Sequence, residues 1–374
     1  MDNRDQSILE STVVPHPGEM VMEYLDFNGW SQSDLARRTG LTAKTISEIC
    51  NRKAPISPST ALAFEKAFQR PAHWWLNLQR QFDEAEARLR EHTKSLQWTD
   101  WVKNFPLEEM RKLRFSLPEG RSDAESLLTF FGVASPESWT SVWKASAIAY
   151  RQTRVFTVRE HAVAAWVREI EIVAKDLDVA PFDDKRLWAS LDELRGLTRR
   201  DAGEIMDPVQ NICAQAGIAV VLVQALPSTG ISGCARWLND KRALVGLTLR
   251  YRTDDQLWFT LFHEIGHILL HRTKRPFVLD NAVEDLSDRV VDPEMERYET
   301  EANRFSADAL IPPKAFDAFS RKGLFTNESI HSFAETVGVG PGLVVGRLQY
   351  EGILGRHQGN ALKQKLNWNS VDER

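Results

Sequence analysis

The chain has 374 residues, a mass of 42.6 kDa and a formal charge of −5, with 43% hydrophobic and 26% charged residues. This ordinary globular balance excludes a disordered chain, a collagen-like chain and a coiled-coil rod, and the length asks for two or three domains. No apolar run approaches the ~18 residues of a membrane helix. The charged start, Met1-Asp2-Asn3-Arg4-Asp5, has no signal-peptide core. Cys50, Cys213 and Cys234 form neither a disulfide framework nor a paired-cysteine zinc knuckle. The expectation is a cytoplasmic protein that contacts no membrane. In an acidic chain, nucleic acid would have to be met by a local basic patch.

A short tail, residues 1–14, leads into brief helical segments over 15–90. The first runs from Glu19 to Asn28. Ser31 reads as the cap of a second, with Asp34 three residues on, and Gly40 as its stop. Thr42 caps a third, Ala43 to Asn51, whose Ile46 and Ile49 point inward. Ser57-Pro58 and Pro71 open two more, the last carrying Trp74 and Trp75. Two short helices joined by a glycine turn form a helix-turn-helix, whose second helix enters the DNA major groove. The small polar residues at the front of that helix, Thr45 and Ser47, suit base edges, with Asn51 trailing them and Gln32 a further DNA-binding candidate. Arg37, Arg38, Lys44, Arg52 and Lys53 suit phosphates. Five basic and two acidic residues between Trp30 and Lys53 make a modest positive patch. A plain helical bundle with a solvated face would show the same periodicity.

Residues 91–197 are helical by pattern, broken at Pro106, Gly120, Gly132, Pro136 and Pro181. They carry no motif and could act as sensor, dimer interface or spacer. Residues 198–355 hold the convincing strand runs: Ile218 to Val223, Gly233 to Leu238, and Ala243 to Leu249. The last two flank the turn signal Asn239-Asp240-Lys241 and read as a hairpin. The expected result is a small antiparallel sheet before a long helix. Residues 356–374 read as a polar, loose tail.

That long helix carries His263-Glu264-Ile265-Gly266-His267, an H-E-x-x-H pattern. On a helix the two imidazoles differ by about 40° in direction and about 6 Å in height, so one ion can bridge them. The ion expected is Zn2+, with Glu264 as general base toward the attacking water. The flanking residues are apolar nearly all round, which makes this a core helix whose polar groups need partners. Gly266 would let another element approach closely. His271 faces the same way but lies about 12 Å from His263 along the axis, too far to share the ion. A capping or supporting role suits it. The acidic helix Pro293 to Leu310 is the best source of a third ligand. Glu299 and Glu301 flank its apolar stripe on opposite sides, and wheel geometry leaves both open.

Two resemblances sharpen these readings. Pro17-Gly18-Glu19, Trp30 to Gly40, Thr45 to Ile49 and Trp74-Trp75-Leu76-Asn77-Leu78-Gln79 resemble the HigA-type antitoxins, within the Xre/Cro-like helix-turn-helix repressors. This resemblance implies a homodimer on a palindromic double-stranded DNA operator. Leu261 to His271, Glu299 to Pro312 and Val337 to Leu348 together resemble the ImmA/IrrE metallopeptidases. That resemblance implies a zincin-like α+β domain over 198–355 and makes Glu301 the third metal ligand. Ser306 stands where that family often has alanine. Arg347 would lie near the active centre, able to polarise a scissile carbonyl or merely structural. Cys234, on the hairpin, could approach the metal or be an ordinary buried thiol.

The fold expected is therefore multidomain: an all-α helix-turn-helix domain, a helical middle and an α+β metallopeptidase domain. Such peptidases cut Xre-type repressors. The implied function is a DNA-binding regulator whose attached zinc endopeptidase cuts a regulatory protein: itself, a partner repressor or a toxin. The alternative is a non-enzymatic regulator or antitoxin with a structural or sensory zinc domain. An intact Glu264 favours the enzyme, because a purely structural site needs no general base.

Overall fold

The structure is a computed structural model and describes residues 14–144, 160–271, 277–280 and 293–368. The expected tail 1–14 lies outside these residues except for Val14. Among the described residues, no helix is long and apolar enough to cross a membrane. The chain forms two compact units. One comprises Met1–Val102 and Pro118–Ser126, the other Lys103–Leu117 and Leu127–Arg374. Residues 91–197 contribute to both.

The first unit opens with α1 (Pro17–Asn28), α2 (Gln32–Thr39), α3 (Ala43–Cys50), α4 (Pro58–Phe68) and α5 (Ala72–Ser95). The starts of α2, α3 and α4 follow from their caps. The Ser31 hydroxyl accepts from the Asp34 amide at 3.1 Å, and Asp34 accepts from the Ser31 amide at 3.0 Å. The Thr42 hydroxyl accepts from the Thr45 amide at 3.0 Å, and Ser57 from Thr60 at 3.2 Å. Each such cap is worth about 1 kcal/mol. Gly40 ends α2 with φ of 72°, a left-handed value that glycine adopts without strain. Val21, Leu35, Ile46, Ile49, Phe64 and Trp75 form a closed core. Gly18 is needed because a Cβ there would lie 2.0 Å from the Ile49 carbonyl oxygen, so α1 and α3 meet backbone to backbone. The Gln79 side chain accepts from the Ile56 amide at 2.9 Å, which ties the loop after α3 to α5.

In the second unit, α6 (Glu160–Lys175), α7 (Asp184–Leu197) and α8 (Met206–Gln215) precede β1 (Ile218–Leu222), β2 (Gly233–Asn239) and β3 (Arg242–Leu247). The long helix α9 (Asp254–Leu270), a short strand β4 (Phe277–Asp280) and helices α10 (Pro293–Leu310), α11 (Pro313–Ser320), α12 (Asn327–Val337) and α13 (Pro341–Tyr350) follow. The sheet order is β1-β3-β2-β4. The β2–β3 hairpin forms as expected, but the sheet is mixed rather than antiparallel. β1 runs parallel to β3, and β4, absent from the sequence expectation, pairs antiparallel on the other side of β2.

Both faces of the sheet are covered. A Cβ at Gly246 would meet Trp166 and Ile170 of α6, whereas one at Gly233 would meet Thr260 and Glu264 of α9. Burial on two faces is why β1 and β3 read as unbroken apolar runs. Helix α10 packs across α9 where Gly266 leaves room: its absent Cβ would stand 2.9 Å from the Phe305 ring and 3.5 Å from the Ala302 backbone. The Ser306 hydroxyl donates to the Phe259 carbonyl at 2.8 Å, a bond that ties α10 to α9.

The expected loose tail is partly tied down. Asp254 N–H donates to the Gln364 carbonyl at 3.0 Å, and Leu366 N–H to the Arg252 carbonyl at 2.9 Å. Leu366 is buried in the core with Trp368 against it, apolar anchors in an otherwise polar segment.

Candidate metal centre and DNA-binding face

Helix α9 is held against the sheet by Leu257, Leu261, Ile265 and Ile268, all buried. This fixes where its polar residues point. His263 Nε2 and His267 Nε2 lie 2.9 Å apart. Glu299 of α10 places one carboxylate oxygen 3.4 Å from His263 Nε2 and the other 3.6 Å from His267 Nε2. Donors about 2.0–2.1 Å from a tetrahedral ion sit about 3.3 Å from one another, so these three fit one ion. Ligand atoms of His263, His267 and Glu299 all lie within 4.8 Å of one another. Burial, followed by the neighbouring His263 and His271, holds His267 well below the usual histidine pKa. A neutral imidazole is the form that ligates. Both histidine side chains are 1% exposed and Glu299 is 26% exposed, so the cluster opens toward solvent on the glutamate side.

Glu301, expected at this position, lies elsewhere. Its Oε2 is 2.8 Å from His271 Nε2, and Arg297 Nε is 3.4 Å from its other oxygen. The two glutamates differ by about 200° around α10. The stripe of Met295, Tyr298, Ala302 and Phe305 docks on α9, which leaves Glu299 beside His263 and His267 and Glu301 beside His271. His271 does not join the three-residue cluster, and its Nδ1 lies 3.2 Å from His267 Nδ1.

Glu264 is fully buried, with its carboxylate against the strand at Gly233. Cys234 is also fully buried, and burial raises its thiol pKa well above the usual value, with the charge of Glu264 adding to the shift. Cys234 pairs with Gly246, whose open side faces α6, while Gly233 faces α9. Alternation along the strand therefore turns Cys234 away from α9. Arg347 bonds Glu351 at 2.9 Å and lies over the Phe316 ring at 5.1 Å. The sequence reading missed Gly233 and Tyr350. Tyr350 is 64% exposed, 6.0 Å from Phe259, whose ring stacks 6.3 Å from His263. A lone tyrosine on a late helix carries no signal for that placement.

In the first unit, Arg37, Arg38, Lys44, Asn51, Arg52 and Lys53 are exposed, and Gln32, Thr45 and Ser47 are half-buried. Arg38 lies over Trp30 at 3.9 Å. Arg37 pairs with Asp34, Lys44 with Glu48 at 3.8 Å, and Arg52 with Glu19 at 2.8 Å. The Asn51 amide donates to the Ser47 carbonyl at 2.8 Å. These surface pairs are weak and can exchange for phosphate. Arg52, two residues past the end of α3, has φ of 61° and pairs with Glu19 of α1.

Fold and geometry thus define a chain with a helix-turn-helix unit and a zincin-like unit bearing a His-His-Glu cluster. Residues 22–75 match the helix-turn-helix family. Residues 243–349 match the peptidase M78 family, described as the IrrE N-terminal-like domain. The chain therefore carries both domains in one polypeptide. A 67-residue stretch, 17% of the chain, is 39% identical to virulence-associated protein A of Dichelobacter nodosus and spans 66% of that protein. An addiction-module antidote protein of the HigA family from Coxiella burnetii is 30% identical, over 22% of this chain and 92% of that one, with a TM-score of 0.22. The antitoxin GraA is 29% identical over 23% of this chain and 92% of its own, with a TM-score of 0.21.

Proposed function

We propose that the chain is a DNA-binding, antitoxin-like regulator whose second unit is a zinc-dependent endopeptidase. The carrying observation is the buried pair His263 and His267 converging with Glu299 on one point, next to buried Glu264. His263, His267 and Glu299 would hold the ion. Glu299 replaces Glu301 in this role because its carboxylate faces both histidines. A bound zinc supplies Lewis acidity that activates water near neutral pH and polarises a carbonyl. Glu264 takes the proton of the attacking water on its carboxylate. It returns that proton to the leaving amine nitrogen as the C–N bond breaks and the new C–O bond remains on the acyl side. Its burial keeps solvent from competing for that proton. The substrate proposed is a regulatory protein: the chain itself, a partner repressor or a toxin.

In the first unit, Thr45, Ser47 and Asn51 of the recognition helix and its end meet base edges. Gln32, Arg37, Arg38, Lys44, Arg52 and Lys53 meet the phosphodiester backbone, with a cytoplasmic homodimer on a two-fold operator. Selection from random duplexes, read by the salt dependence of binding, tests this half. Replacing Lys44 with alanine should lower the slope of log K against log salt by about one.

Metal content tests the other half. Wild type should bind one zinc, His267→Ala should lose it, and Glu264→Gln should keep zinc while losing peptide hydrolysis. A wild type that folds without zinc would end the peptidase reading. Zinc without hydrolysis of any candidate, under conditions where related peptidases cut, would favour a structural or sensory zinc domain.

A further inference from the structure

We infer that His271 and Glu301 form a positioning relay behind His267 that fixes its tautomer and ring plane for metal binding. This rests on the zinc reading above and deepens it. His267 turns Nε2 to the cluster with His263 and Glu299, and Nδ1 to His271. An imidazole that gives its Nε2 lone pair to a cation carries its proton on Nδ1. That proton is donated to His271 Nδ1, 3.2 Å away. His271 must then be protonated on Nε2, which donates to Glu301 Oε2 at 2.8 Å. Every donor in the series meets an acceptor, and the series ends on a carboxylate.

The surroundings hold that order. Arg297 lies 3.4 Å from the second Glu301 oxygen and anchors it. The Tyr298 ring lies 4.5 Å from the His271 ring and fixes its plane. The His267 and His271 side chains are 1% and 5% exposed, so bulk water does not replace the bond between them, and Glu301, 45% exposed, is the solvent-facing end of the series. The free energy of ordering the ligand is thus met by folding rather than at binding. Partners of this kind, one contact behind a ligand, typically change metal affinity 10- to 100-fold. The two nearby glutamates therefore have separate work: Glu299 faces the ion, and Glu301 sets the histidine that faces it.

The test is zinc affinity of the full chain, measured by competition with a chromophoric chelator, for wild type, Glu301→Ala, Glu301→Gln, His271→Ala and Glu299→Ala. Glu301→Ala and His271→Ala should each still bind one zinc, but about 10- to 100-fold more weakly. Glu301→Gln keeps an acceptor oxygen and should recover most of the loss. Glu299→Ala should lose far more. In the zinc-loaded protein, long-range proton–nitrogen NMR should find His267 protonated on Nδ1 and His271 on Nε2. Wild-type affinity in Glu301→Ala overturns the relay and leaves the zinc reading intact. So does the opposite tautomer at His271. Loss of zinc in Glu301→Ala with retention in Glu299→Ala would make Glu301 the ligand and overturn the relay as drawn. A wild type without zinc removes both readings together. Equal melting of zinc-free wild type and Glu301→Gln separates the effect from misfolding.

Discussion

Gly233 shows how one missing methyl group shapes the candidate centre. A Cβ there would stand 2.5 Å from Thr260 Cγ2 and 2.7 Å from Glu264 Oε1. At these separations something must shift, and the Glu264 carboxylate is the flexible end in contact, so Gly233→Ala should displace the proposed general base. The expected outcome is one bound zinc with peptide hydrolysis reduced about 100-fold or more, as for loss of a general base. Zinc content and hydrolysis measured on the same sample check it. Undiminished hydrolysis would show that Glu264 is not held by this strand. The H-E-x-x-H pattern was legible because helical spacing is local and fixes two imidazoles on one face. Glu299 was not separable from Glu301, because that choice depends on how α10 docks on α9. Cys234 was left open for a similar reason: the pleat fixes its side only once the strand's partners are known.

At the scale of elements, the first unit was the more legible. Ser31, Thr42 and Ser57 each make the cap their position suggested, and Gly40 supplies the left-handed stop. Caps and turns are decided within a few residues. The mixed sheet was not legible, since β1 finds β3 across more than one turn and β4 lies beyond α9. Close approaches between elements carry sharp predictions. At Gly18 a Cβ would meet a carbonyl oxygen, and backbone cannot swing aside. Gly18→Ala should destabilise the α1–α3 contact by roughly 1–3 kcal/mol, the usual cost of overpacking. Faster hydrogen exchange of α1 and α3 amides in the full chain is the measure, and unchanged rates would refute it.

The start of α9 also depends on pH. Asp254 is 3% exposed, and burial, then the charge of Asp255, raises its pKa from 3.8 to about 6. The folded state therefore holds this proton more tightly than the unfolded state does. The stability contributed is complete below about pH 4 and is lost as pH rises through about 6. At neutral pH the buried charge is a cost. Asp254→Asn keeps an oxygen for the Gln364 amide, which now bonds Asp254 Oδ1 at 2.9 Å. It should stabilise the second unit at pH 7 by on the order of 1–3 kcal/mol and have little effect near pH 4. Urea unfolding at the two pH values decides it, and an equal effect at both would remove charge burial as the cause.

For the whole molecule, the question is whether the two proposed activities can be separated. The proposed ligands join only α9 to α10, both in the second unit, and no proposed DNA contact lies outside the first. A metal that binds the folded second unit and not its unfolded chain would stabilise that unit by mass action. At free zinc 100-fold above Kd the gain is about 2.7 kcal/mol. Removing zinc with a chelator should lower the melting of α9 and α10 while leaving DNA affinity and its salt dependence unchanged. Calorimetry of the full chain with and without chelator, beside DNA titrations of the same two samples, measures both. If DNA affinity also falls on chelation, the metal state is communicated to the helix-turn-helix, and the second unit acts as a sensor for the first. If the melting does not move, zinc is either absent or bound too weakly to order the pair of helices. In the separable case, a Glu264→Gln chain would remain a full DNA-binding regulator, and any loss of repression control in that variant would be assigned to peptide hydrolysis alone.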